Sequence, residues 1–220
     1  MMSFFQKDNK EKYNKILKNI SKNNIVDLRR KIKILMVDDE EYDIFDMLNT
    51  RGYHMYYKSD INYAEEVEPF DIIILDIKGV AQRFGSAYEG FGFAKEVKKL
   101  YPHKIVLCYS GTSNNDINGQ LDKIDGYIPK DTDIDQWSAR LDAFIKNYSS
   151  VDYHWGIIES KLREERYSQN IIDDLKERYI KSFNEDSFDD MKNQFMLKIN
   201  DSKMCIDIIT SLVSLIKLLA

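Results

Sequence analysis

Asp71-Ile72-Ile73-Ile74-Leu75-Asp76-Ile77 is an almost continuous run of β-branched and apolar residues with an acid near its end. A strand buried on one face alternates apolar and polar residues, whereas a strand covered on both faces reads as an unbroken apolar run. Asp71–Ile77 is of the second kind. Ile32–Val37 (IKILMV) and Lys104–Tyr109 (KIVLCY) share its character, and His54–Lys58 and Gly126–Pro129 read as shorter strands. Between the strands lie helical patterns over Tyr42–Thr50, Ile61–Val67, Gly92–Leu100, Asn114–Lys123 and Ile134–Tyr148, the first ended near Gly52. Five strands alternating with five helices predict an α/β fold, a doubly wound parallel sheet with helices on both faces.

Working outward, the 220 residues divide into three zones. Residues 1–31 form a basic extension with a net charge of +6, and Tyr13, Ile16, Leu17 and Ile20 mark one face of a helix from Asn9 to about Ile20. Residues 32–148 carry the sheet and a charge of −8, and residues 149–220 carry −3. The third zone has no proline and a single glycine, Gly156, and reads as helices over Trp155–Arg166, Ser168–Phe183, Ser187–Ile199 and Ser202–Leu219. His154, beside Trp155, reads as packing.

A DNA reader presents a basic face, and this acidic C-terminal zone does not. Its last helix is apolar nearly all round, so it belongs in the middle of its own bundle or between two subunits of a homodimer. Cys108 and Cys205 lie far apart in apolar surroundings, which fits two buried thiols in a reducing cytoplasm. The first residues lack the apolar core of a secretory signal, and Met204–Ala220 is too short and too interrupted for a membrane span. The expectation is a cytoplasmic protein.

The chemistry is carried by the residues that end the strands. The first run leads into Asp38-Asp39-Glu40, the third into Asp76, the fourth into Ser110-Gly111-Thr112 and the fifth into Lys130. Doubly wound sheets bind ligands at this edge, outside the carboxyl ends of the strands. Three converging carboxylates repel one another unless a hard cation sits among them, and Mg²⁺ suits such a donor set. A carboxylate also serves as a nucleophile that forms an aspartyl phosphate. Lys130 supplies positive charge for phosphoryl oxygens, and the Ser110 hydroxyl supplies a hydrogen bond.

On these residues the second zone resembles the receiver domain of bacterial response regulators. Asp38 and Asp39 in VDDE match the family's acidic pair, Asp76 in IIILDI its phosphorylated aspartate, Ser110-Gly111 its hydroxyl residue and small neighbour, and Lys130 its lysine. Tyr127 matches the aromatic switch position. The resemblance implies a flavodoxin-like, five-stranded receiver that is no enzyme beyond its own phosphorylation and slow dephosphorylation. It implies Mg²⁺ at Asp38, Asp39 and Asp76, and a sensor histidine kinase or phosphotransfer protein as donor. Ser110 and Lys130 would respond to the phosphoryl group, with Ser110 and Tyr127 as the switch, and the helical zone would bind a protein target.

Two departures stand out. Thirteen residues separate Asp76 from Gly90, about six more than the family's usual loop, and Lys78 places a cation two positions after the acceptor. Lys130 is followed by Asp131 where the family has a proline. These departures leave a second reading, a receiver-like scaffold that no longer cycles phosphate. A Mg²⁺-dependent hydrolase is disfavoured, because no second acid or base accompanies the acceptor motif.

Overall fold

The apolar runs pair into one parallel sheet. β1 (Lys33–Val37), β2 (His54–Lys58), β3 (Ile72–Asp76), β4 (Ile105–Ser110) and β5 (Gly126–Pro129) stand in the order β2-β1-β3-β4-β5. The computed structural model describes residues 24–40, 43–84, 89–111, 124–185, 187–200 and 202–219. Every residue of β3 and of β4 is buried, as a strand covered on both faces requires. The chain moves outward in one direction from β1 to β2, then crosses back to β3, so the order reverses between β1 and β3. That reversal is the topological switch point of a flavodoxin-like doubly wound fold. Register follows from it: Val37 lies beside Leu75, Asp76 beside Tyr109, and Ser110 beside Pro129.

Among the described residues of the sheet unit, Ile25–Tyr148, the α-helices are α1 (Ile25–Lys31), α2 (Ile44–Thr50), α3 (Glu89–Leu100) and α4 (Ile134–Tyr148). α2 stops where Gly52 takes φ +84°, a conformation a side chain resists. The helix expected over Ile61–Val67 is only one 3-10 turn, Ala64–Val67, because Asp60 and Glu66 hydrogen-bond the backbone before it and start the turn late. Those expected over Asn9–Ile20 and Asn114–Lys123 lie outside the described residues. α1 was not foreseen, and it belongs to the compact unit Ile25–Tyr148. It is pinned by Arg29, whose guanidinium makes two hydrogen bonds of 2.8 and 2.7 Å to the Asp142 carboxylate of α4. Such a paired fork is stronger and more directional than a single lysine contact.

The helical unit, from Ser149 onward, holds α5 (Val151–Glu164), α6 (Gln169–Glu185), α7 (Phe188–Lys198) and α8 (Lys203–Leu219). Ser150 starts α5 by accepting the Tyr153 N–H at 3.0 Å, a hydroxyl cap on an orphan donor. Ser187 occupies the corresponding position before α7 but makes no such side-chain bond. Cys205, Ile208, Ile209, Leu212 and Val213 of α8 are buried against Trp155, Ile158, Leu175, Tyr179 and Phe195. These α8 residues find their cover inside the unit. Met196 and Leu197 of α7, by contrast, face outward. Both cysteines are buried, and neither is in a disulfide. Among the described residues no helix is long and apolar enough to cross a membrane.

His154 is fully buried in α5, with Nδ1 3.0 Å from the Ser150 carbonyl. Burial pushes its pKa down to about 4. Between that value and the ordinary 6.5 the unfolded chain binds the extra proton, so stability rises with pH across the window. We expect melting of the helices to shift down as pH falls from 6.5 towards 4, and His154→Phe to flatten that slope. Circular dichroism melts of the full chain at several pH values check it.

Candidate functional site

At the carboxyl edge of the sheet, β1 and β3 flank the switch point and deliver three acids. One carboxylate oxygen from each of Asp38, Asp39 and Asp76 lies within 4.8 Å of the other two. Asp38 is wholly buried and Asp76 nearly so, whereas Asp39 is exposed. Lys130, just beyond β5, reaches across the sheet edge, with Nζ 2.7 Å from Asp76 Oδ2 and 3.4 Å from Asp38 Oδ2.

The electrostatics are those of like charges held by internal donors. Burial raises the pKa of Asp76 and the nearby Asp38 adds to the rise, while the hydrogen bond and charge of Lys130 oppose it. For Lys130, burial works against the ammonium, but its contacts with Asp76 and Asp38 outweigh that and raise its pKa. The cation therefore stays protonated beside the acceptor. Asp76 Oδ1 also accepts the Ile77 N–H at 2.6 Å, which fixes the carboxylate plane.

Ser110 ends β4 at the same edge and is buried. Its carbonyl accepts the Lys130 N–H at 3.0 Å and the Tyr127 hydroxyl at 2.9 Å. Tyr127 is half-buried against the core cluster that contains Leu75, Ile77 and Cys108. The six residues singled out in the sequence are thus brought to one edge, four of them as a tight cluster of charges. Among the described residues no cis peptide bond occurs, so the turn from Lys130 to Asp131 is built without one.

The long segment after Asp76 is well anchored in its first part. Val80 and Ala81 are buried in the core, and Asp60 Oδ1 accepts both the Ile61 and the Ala81 N–H at 2.7 Å. Ala81 is held at φ 57° by these contacts. Gly79 has φ +83°, and a Cβ there would lie 2.2 Å from Asp39 Oδ2, so glycine lets the backbone run against that carboxylate. Lys78 is exposed.

Sequence reasoning missed Tyr109. Its hydroxyl donates to Asp38 Oδ2, its ring meets the buried Trp137 edge-on at 5.9 Å, and Lys130 Nζ lies 5.0 Å from the ring centroid. Burial, then the Asp38 contact, raises its pKa, so the phenol keeps its proton and donates. The signal was there to read: a tyrosine ending a strand buried on both faces needs a partner for its hydroxyl.

The sheet order and the switch point define a doubly wound α/β unit with acids at its carboxyl edge. Solved structures similar to it include the signal receiver domain of an HD domain-containing protein from Pseudomonas fluorescens Pf-5. That one has 16% identity, covers 54% of this chain and 90% of its own, and gives a TM-score of 0.45. A CheY-like response regulator receiver domain protein from Methanospirillum hungatei JF-1 has 20% identity over 53% of this chain and 95% of its own, with a TM-score of 0.43. The receiver domain of NtrX from Brucella abortus has 21% identity over 51% and 98%, also at 0.43. These neighbours, receiver domains of response regulators, cover about half of the chain; among the described residues, those from Val151 onward are mainly helical. No family model matches the chain, and no curated protein does.

Proposed function

We propose that the sheet unit is a phosphoacceptor receiver in a two-component relay, with Asp76 taking the phosphoryl group and Mg²⁺ as its cofactor. The observation that carries this reading is the convergence of Asp38, Asp39 and Asp76 within 4.8 Å, with Lys130 2.7 Å from the acceptor. Three carboxylate donors suit a small hard cation, and two of them are buried acids that need positive charge nearby. Asp38, Asp39 and Asp76 would hold it, and bound there it offsets charge on phosphoryl oxygens.

The chain's own residues do the rest. Lys130 holds one Asp76 oxygen while the backbone N–H of Ile77 holds the other, so the carboxylate is oriented before a donor arrives. An Asp76 oxygen forms the new bond to phosphorus as the bond to the donor's imidazole nitrogen breaks, and the imidazole keeps the electron pair. The Lys130 ammonium then turns to the phosphoryl oxygens and the Ser110 hydroxyl donates to one of them. Ser110 is linked through its carbonyl to Tyr127, so a shift at Ser110 is felt by that ring. The donor would be a sensor histidine kinase or a phosphotransfer protein, and the helical unit would carry the output to a protein target.

Acetyl phosphate with Mg²⁺, followed by intact mass, tests the reading. The native chain is expected to gain one acid-stable, base-labile phosphoryl group, and Asp76→Asn to gain none. No modification of the native chain under saturating donor would favour a receiver-like scaffold instead.

A further inference from the structure

The acids of the site are not held alike. Asp39 is exposed, with the Gly79 backbone close against it. Asp38 is fully buried, and the chain's own donors take both of its oxygens: Glu40 N–H on Oδ1 at 3.0 Å, and the Tyr109 hydroxyl together with Lys130 on Oδ2. Lys130 is shared with Asp76, its closer partner at 2.7 Å. Tyr109 is the uncharged side chain that donates to Asp38. Trp137 backs its ring, and its backbone lies in register with Asp76 in the neighbouring strand.

We propose that Tyr109 is a positioning residue for the cation site: its hydroxyl, held rigidly by β4 and Trp137, fixes the Asp38 carboxylate and so sets the affinity for Mg²⁺. The inference rests on the phosphoacceptor reading of the three acids. A buried carboxylate without this donor turns towards Lys130, 3.4 Å from its Oδ2, and away from the geometry the cation needs. A small cation that demands near-ideal geometry is sensitive to such a turn. Removing a group that orients a metal-ligating side chain typically costs ten- to a hundredfold in affinity.

The test is a Mg²⁺ titration of the full chain by isothermal calorimetry, comparing the native protein with Tyr109→Phe, which keeps the ring against Trp137. Tyr53→Phe serves as a control: Tyr53 is also buried and donates to Asp142 and to the Ser138 carbonyl, away from the acids. Tyr109→Phe is expected to weaken Mg²⁺ binding at least about tenfold, with Tyr53→Phe binding as the native protein does. Adding Tyr109→Phe to Asp38→Asn is expected to change affinity no further, because the hydroxyl acts through that carboxylate. This paired comparison also tests the idea in a background freed of the buried charge, should Tyr109→Phe alone fold poorly. Native affinity in Tyr109→Phe, an equal loss in Tyr53→Phe, or the same loss with Asp38→Asn present each overturns the proposal. A native protein that binds no Mg²⁺ at all overturns the reading of the acids itself.

Discussion

Lys130→Met is expected to lower the stability of the metal-free protein by about 2–3 kcal/mol, and to slow phosphorylation of Asp76 about 10²–10³-fold. The first figure reflects loss of a charge-assisted hydrogen bond to a buried acid, worth roughly 1.5–3 kcal/mol. It also reflects the repulsion then left between Asp38 and Asp76, with Lys130 Nζ now 3.4 and 2.7 Å from their Oδ2 atoms. The second figure is the usual cost of removing one preorganised donor from a site where charge develops. Methionine keeps much of the side chain's apolar stem, so packing changes little. Because the missing ammonium also repels a divalent cation, added Mg²⁺ should restore more stability to the variant than it adds to the native chain. Chemical denaturation with and without Mg²⁺, and initial rates with acetyl phosphate, measure both effects. A variant as stable as the native protein would mean that the acids do not depend on Lys130.

Gly90→Ala is expected to damage the site from behind. Gly90 is the second residue of α3, where alanine would ordinarily gain roughly 1 kcal/mol of helix propensity. A Cβ there would stand 2.2 Å from the Asp76 carbonyl oxygen and 3.1 Å from the Ile77 Cα. Both neighbours are backbone, so neither can swing aside as the end of a flexible side chain does. Overpacking of this kind costs typically 1–3 kcal/mol and sometimes more, so the clash wins over propensity. We expect a net loss of about 2 kcal/mol in denaturant unfolding and weaker Mg²⁺ binding, since Asp76 must move with its carbonyl. Gly156→Ala, inside α5 with nothing within 4 Å of the added methyl, should instead gain roughly 1 kcal/mol of helix propensity and is the matched comparison.

The strands and their ends were legible because burial on both faces leaves an unbroken apolar run, and because a parallel sheet gathers its strand ends on one edge. Asp71–Ile77 could be read this way without knowing its neighbours. The 3-10 turn at Ala64–Val67 was not legible: its apolar spacing suits a helix, and only the hydrogen bonds of Asp60 and Glu66 show why the turn starts late. α1 was missed because its anchor, Arg29 on Asp142, spans 113 positions. The hydroxyl of Tyr109 reaches Asp38 across 71 positions, and no spacing rule links them. The long segment after Asp76 stood out in the sequence by its length alone. Asp60, Val80 and Ala81 tie its first part to the core, which places the Gly79 backbone on Asp39.

The measurement closest to the central claim is Mg²⁺-dependent binding of beryllofluoride, a mimic of the phosphoryl group, followed by ¹⁹F NMR on the full chain. Asp76 as acceptor predicts protein-bound fluorine resonances for the native protein with Mg²⁺, none without the cation, and none in Asp76→Asn. Bound resonances that persist in Asp76→Asn, or their absence in the native chain at saturating Mg²⁺ and beryllofluoride, would contradict it.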